Sequence, residues 1–270
     1  MVEQLDVEDP QDPRLRDYVG LRDVQMRRSL EVEHGFFIAE GEKVVRRALE
    51  SGHRPRSFLM ARRWVESLAD VLAEHASPCY VLSEQAIERV TGFHVHRGAL
   101  SSLERPAPRA VEEVLANARR IVVVEDVVDH ANLGAIFRSV AGLGFDALLL
   151  SPRCADPLYR RSIKVAMGSV FWLPYARVED WYAAPDLLAW HGFQRVAMAL
   201  GDDAIDLGDL RTGEKVALLV GSEGHGLTPR WRTTADDVVT IPMAADIDSL
   251  NVASSVAIAC WALRDQHTAR

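Results

Sequence analysis

A chain of 270 residues, 48% hydrophobic and 26% charged, is long enough for one large or two modest domains and too apolar for wholesale disorder. Its net charge of -8 excludes a uniformly basic protein that coats nucleic acid, but the charge is unevenly spread. Residues 1–13 carry five acids and no base, residues 14–110 sixteen Lys/Arg against thirteen Asp/Glu, and residues 111–270 fifteen against twenty-one.

After the acidic start, Leu15 to Leu30 reads as an arginine-rich helix and Gly35 to Ala39 as a strand, with Glu40-Gly41-Glu42-Lys43 opening a second helix through Leu49. Strands at Ser57–Met60 and Cys79–Leu82 alternate with helices at Trp64–His75 and Glu84–Val90, which predicts an α/β/α sandwich on a largely parallel sheet. Leu103 to Pro108 is charged, holds two prolines and reads as a linker, dividing domains at 14–104 and 116–270 across a connection at 105–115. Beyond it, continuous apolar strands are expected at Ile121–Val124, Ala147–Leu150, Arg195–Leu200, Val216–Val220 and Val238–Ile241, with a further one at Phe171–Pro174. Met1 to Asp6 lacks a signal-peptide pattern and no apolar run is long enough to span a membrane, so a cytoplasmic protein is expected. Cys79, Cys154 and Cys260 are widely spaced, without metal-ligand patterns, and read as reduced packing residues.

Three loops follow three of these strands, where open α/β sheets gather ligands. The first carries Asn132, which can cap the helix it opens, and Arg138 within that helix, a planar five-donor cation suited to phosphate. The second is Gly221-Ser222-Glu223-Gly224-His225-Gly226-Leu227, whose glycines let backbone approach a ligand closely. No GK[ST] follows it, so it is not a P-loop, and Gly142-Leu143-Gly144 ends a helix and is no dinucleotide fingerprint. His225 reads as a solvated loop histidine. The third runs from Ile241-Pro242-Met243 to Ser249-Leu250-Asn251, with Ser249 placed as N-cap of the helix that follows.

Taken together, the loops resemble those of the SpoU/TrmH family of RNA ribose 2'-O-methyltransferases in the SPOUT superfamily. The likeness rests on Asn132, Gly134 and Arg138, on Gly221 to Leu227, and on Ile241-Pro242-Met243 with Ser249-Leu250-Asn251-Val252; Arg160 to Ser169 and Leu173-Pro174 extend it over 120–266. Glu40 to Lys43 and its helix resemble the ribosomal-protein-like substrate-binding module that many members carry. Ala245 stands where the family usually has Gly, and Ala253-Ser254-Ser255 replaces the commoner Ser-Val-Ala.

The resemblance implies a C-terminal α/β trefoil-knot methyltransferase domain beside a smaller N-terminal α/β/α sandwich, S-adenosyl-L-methionine as cofactor, no metal, a homodimer, and RNA as substrate, rRNA favoured over tRNA. It places Met198, Gly221, Ile241 and Leu250 around the adenosine, and Arg138 at the reaction with Asn132, Glu223, Ser249 and Asn251. Arginine is too weak an acid for a simple base, so Arg138 is read as holding a substrate phosphate and stabilising the developing alkoxide. Arg22, Arg27, Arg28, Lys43, Arg46 and Arg47 are expected to offer RNA contacts. The alternatives are a tRNA 2'-O-methyltransferase, a base methyltransferase, and a non-catalytic RNA-binding protein that retains the fold.

Overall fold

The structure, a computed structural model, describes residues 2–95, 98–201, 204–244 and 249–264, so Ala245 lies outside the described residues. In chain order it begins with β1 (Gln4–Asp6), a 3-10 turn (Pro13–Tyr18), α1 (Val24–Glu33), β2 (Phe36–Glu40), α2 (Glu42–Glu50) and β3 (Pro55–Met60). There follow α3 (Arg62–Ser67), α4 (Ala69–Leu72), β4 (Cys79–Val81), α5 (Glu84–Thr91), β5 (Ala99–Glu104), α6 (Val111–Leu115), β6 (Arg120–Val124) and α7 (His130–Gly142). Then come β7 (Ala147–Leu150), α8 (Arg160–Val165), a 3-10 turn (Ser169–Phe171), β8 (Tyr175–Arg177), α9 (Ala184–Trp190) and β9 (Gln194–Met198). The chain closes with β10 (Ile205–Asp206), β11 (Val216–Val220), α10 (Pro229–Thr233), β12 (Asp237–Thr240) and α11 (Val252–Leu263). It forms two units, Met1–Ala107 with Leu158–Phe171, and Pro108–Pro157 with Trp172–Arg270.

The first unit holds a five-stranded sheet in the order β1-β4-β3-β5-β2. The sheet is mixed and not largely parallel, because β5 runs antiparallel to both β2 and β3. No strand is expected at β5, whose end at Leu103 and Glu104 falls in the expected linker; its Ser101 and Ser102 are fully buried, and their polarity is absorbed internally. Ser102 Oγ donates to Asp17 Oδ2 at 2.7 Å, its amide donates to Tyr18 Oη, and Tyr18 Oη shares a 2.8 Å hydrogen bond with Ser57. The helix expected over Leu15–Leu30 is interrupted: Gly20 takes a left-handed φ of 64°, and the amides of Gly20 and Leu21 pair with the carbonyls of Val90 and Thr91 instead of a helical turn. The helix expected at Trp64–His75 breaks at Leu68 into α3 and α4.

Several cations expected at an RNA surface have partners within this unit. Arg27 is 1% exposed, paired with the 2% exposed Glu31 at 2.9 Å and stacked over Phe36, so its RNA role is corrected to a core one. Arg46 is held by Asp70 at 2.5 Å and by the Ser67 carbonyl; Arg47 donates to the Met167 carbonyl. Arg22 and Lys43 are exposed, and the side chain of Arg28 lies outside the described residues. The buried Glu40 carboxylate receives both Arg160 and Lys164, the latter at 2.7 Å, which ties α8 to the end of β2.

The second unit is built on a seven-stranded sheet, β10-β12-β9-β11-β6-β7-β8, in which every pairing is parallel. β6, β7 and β11 are runs of Val, Ile, Leu and Ala buried on both faces, as a helix-covered parallel sheet requires. The strand expected at Phe171–Pro174 is displaced: Met167 and Gly168 turn the chain through positive φ into the 3-10 turn, and β8 starts only after Pro174. All three cysteines are free and buried, and burial pushes the Cys79 thiol up to about 11 and Cys260 higher still. Among the described residues no helix is long and apolar enough to cross a membrane.

Candidate active site

Four neighbouring strands, β12, β9, β11 and β6, deliver their carboxyl ends to one edge of the parallel sheet. Beyond the first three lies a cavity of about 530 Å³, in the usual size range of small-molecule sites. Its walls combine Met198 at the end of β9 with Leu200 beyond it, Val220 at the end of β11 with Gly221 beyond it, and Ile241 after β12 with Leu250 at the approach to α11. Thus the four residues expected around an adenosine, Met198, Gly221, Ile241 and Leu250, share one cavity, and Glu223, Ser249 and Asn251 line it too.

The loop after β11 is folded back on itself. Gly226 donates to the Ser222 carbonyl at 2.8 Å and adopts a φ of 63°, so the five residues from Ser222 to Gly226 reverse the chain. A Cβ at Gly221 would stand 2.0 Å from the Gly226 carbonyl carbon and 2.3 Å from the Leu227 nitrogen, so only glycine fits there without moving backbone. The loop's far end is anchored by Glu125, 1% exposed at the carboxyl end of β6. Its carboxylate accepts from the Thr228 amide at 2.7 Å, the Thr228 hydroxyl at 3.0 Å and Trp181 Nε1 at 2.7 Å.

Capping chemistry corrects two expectations and explains the polar row at the cavity. Asp129, not Asn132, caps α7, accepting from the amides of Ala131 and Asn132 at 2.9 and 2.8 Å. Asn251, not Ser249, caps α11, its Oδ1 accepting from the Ala253 amide at 2.9 Å. That duty orients the Asn251 amide, because the oxygen must face the helix and the nitrogen must face away. The Asn251 Nδ2 then donates to Asn132 Oδ1 at 2.9 Å, which turns Asn132 Nδ2 toward Glu223 Oε1, to which it donates. One helix cap therefore fixes the donor direction through Asn251, Asn132 and Glu223, which follow β12, β6 and β11 respectively.

Arg138 is not brought to this cavity. It is exposed on α7, about 9 Å further along the helix axis and roughly 120° around it from Asn132. α7 packs along α11, whose outward face carries Ser254, Ile258 and Trp261, the last two 40% and 58% exposed. His225 and Arg232 line the cavity although neither carried a role in the sequence reading. Arg232 had no signal beyond its place eleven residues after Gly221, where a charge on a short helix looks like ordinary solvation. Among the described residues no group of three side chains could hold a metal ion.

A family model described as the SpoU rRNA Methylase family matches residues 119–261. An uncharacterized tRNA/rRNA methyltransferase of Mycobacterium tuberculosis is 42% identical over 95% of this chain and 90% of its own length. A 23S rRNA guanosine 2'-O-methyltransferase of Bacillus subtilis is 30% identical over 84% of this chain and 88% of its own. A crystal structure of an AdoMet-bound rRNA methyltransferase from Sinorhizobium meliloti is 25% identical and aligns with a TM-score of 0.82, covering 96% of this chain and 97% of that one.

Proposed function

The chain belongs to the SpoU rRNA Methylase family, a SpoU/TrmH lineage of the SPOUT superfamily, and we propose that it methylates ribosomal RNA on a ribose 2'-hydroxyl, using S-adenosylmethionine. RNA methyl transfer is the activity of the family; ribosomal RNA as target is supported by the Bacillus subtilis relative. The observation that carries the reading is the oriented row Asn251, Asn132 and Glu223 beside a cavity walled by Met198, Gly221, Ile241 and Leu250.

The residues present fit the cofactor. Apolar walls suit an adenine, and the clash a Cβ would make at Gly221 marks a loop whose backbone is drawn in tightly beside the cavity. When bound, S-adenosylmethionine supplies a methyl group on an electrophilic sulfonium. Met198, Gly221, Ile241 and Leu250 hold the adenosine side. Asn132 and Asn251 present oriented amides, with Glu223 as the acceptor at the end of the row, and Ser249 adds a hydroxyl to the cavity wall. Arg138 holds an RNA phosphate and stabilises the negative charge that builds on the 2'-oxygen as its proton passes to solvent water.

Because Arg138 stands away from the cavity of its own chain, its role calls for a second subunit, and the apolar outward face of α11 supports a homodimer. The exposed Arg22 and Lys43 of residues 14–104 supply RNA-backbone contacts, and the protein acts in the cytoplasm. Incubation of the protein with labelled S-adenosylmethionine and separate rRNA and tRNA transcripts, followed by alkaline hydrolysis, tests the whole reading. Label in alkali-resistant dinucleotides of rRNA is expected, since a 2'-O-methyl group blocks cleavage of its linkage. Label confined to tRNA, or to alkali-released mononucleotides, overturns the target or the atom respectively. Sedimentation of Ile258→Glu should show monomers with lowered transfer; an active monomer overturns the shared site.

A further inference from the structure

We infer that Arg232 binds the carboxylate of the methionyl portion of the cofactor, an assignment that rests on reading the cavity as the S-adenosylmethionine site. Three lining residues carry ionisable side chains, Glu223, His225 and Arg232, and Arg232 is the permanent cation among the described ones.

Its backbone is fixed by the residues just before it. Thr228, just before α10, is held by the buried Glu125, and Trp231 is 1% exposed and packed 4.7 Å from Trp181. Arg232 itself is exposed, the one cation of α10 turned to the cavity wall, while Arg230 is spent on Asp186 and on the Tyr182 ring. Arg232 Nη2 donates to the Leu200 carbonyl at 3.0 Å, which pins the guanidinium against the wall that Ala199 and Leu200 form after β9. One donor of five is thereby engaged. Among the described residues no carboxylate forms an ion pair with it.

The ligand's charges decide what this fork meets. An adenosine has no anionic group and a sulfonium is a cation, so a guanidinium at the cavity would repel the ligand unless it faced the one anion the ligand carries. A carboxylate matches the planar fork with two parallel hydrogen bonds. Glu223, elsewhere on the same wall, leaves the cations of the ligand a partner of opposite sign.

Two probes separate this role from a general one. S-adenosylhomocysteine carries the carboxylate, whereas 5'-methylthioadenosine keeps the adenosine and sulfur without the amino-acid portion. By calorimetric titration, Arg232→Ala should weaken S-adenosylhomocysteine roughly ten- to hundredfold while leaving 5'-methylthioadenosine within about twofold. Arg232→Lys should fall between, keeping the charge and losing the fork. Equal weakening of both probes makes Arg232 a structural residue and overturns the assignment. Unchanged binding of both, with RNA affinity lowered instead, makes its partner an RNA phosphate and overturns it as well. If the unsubstituted protein binds neither probe, the cofactor reading of the cavity fails first and takes the assignment with it.

Discussion

The two units spend their charge in opposite ways. In the first, cations that look available in the sequence already have partners within the unit: Arg27 the buried Glu31, Arg46 the exposed Asp70, Arg47 the Met167 carbonyl. In the second, the polar groups that converge are short amides and a carboxylate, brought together beyond the carboxyl ends of three parallel strands, β6, β11 and β12. Local charge density is therefore a poor guide to function in this molecule, and position beyond a strand's carboxyl end is a good one. The reason is physical. A long cation can reach an acid on its own or a neighbouring helix wherever it lies, whereas a loop after a buried parallel strand has its position set by the whole sheet.

The contrast is open to attack, beginning where the effect is largest. Arg138→Ala should lower methyl transfer about a hundredfold or more while titration shows cofactor affinity within roughly twofold, since removing one group that stabilises developing charge costs that much. Retained turnover would return Arg138 to the class of solvated helix charges. Arg27→Ala should act only on stability, lowering it by about 3 kcal/mol in urea melts, because a cation is taken from a carboxylate that stays buried. A fall in the salt dependence of RNA binding, with stability intact, would erase the distinction between the units. Gly221→Ala should cost roughly 1–3 kcal/mol in thermal unfolding and weaken cofactor binding, as the Cβ forces backbone apart at Gly226 and Leu227.

Finer still is the division of labour at Asn251. Asn251→Asp keeps a good helix cap, so the melting temperature should hold nearly constant, but it replaces the donor toward Asn132 with an acceptor and should slow methyl transfer. Asn251→Ala should lose about 1 kcal/mol as well. Equal activity in the Asp variant and the parent would reduce the row to a cap. The smallest effect belongs to His53 in the first unit, packed against Phe37 and Phe171. Burial lowers its affinity for a proton below the ordinary value of 6.5, against a smaller opposite effect from the Ala48 backbone. The unfolded chain then binds more protons below 6.5, so the stability contributed is full above that pH and declines as pH falls beneath it. His53→Gln should flatten the melting temperature between pH 7 and pH 5; an unchanged slope assigns that dependence to other groups.

What the sequence disclosed follows the same division. Continuous Val, Ile and Leu runs gave β6, β7 and β11 within a residue or so, because a strand buried on both faces leaves no choice of residue type. Met198, Gly221, Ile241 and Leu250 came from motif resemblance, and the strand ends gather them at one cavity. The caps went wrong because Ser249, Asn251, Asn132 and Asp129 are all good N-cap residues and only three-dimensional closure selects between them. β5 was missed because Ser101 and Ser102 are satisfied by Asp17, Tyr18 and Ser57, partners distant in sequence that no local pattern reveals. The one-piece helix over Leu15–Leu30 failed at Gly20, where tertiary hydrogen bonds to Val90 and Thr91 outbid the helical ones.

The first unit is not finished when its sheet is. Its last strand ends at Glu104, yet residues 158–171 belong to it, and they carry the two cations that meet the buried Glu40. During synthesis at about 5–20 residues per second, that carboxylate waits several seconds for Arg160 and Lys164 to emerge. A fragment cut at residue 107 would have its full sheet and still hold an acid with neither of those partners. The order of maturation is thus interleaved: the ribosome must deliver Pro108–Pro157 of the second unit before the first can close.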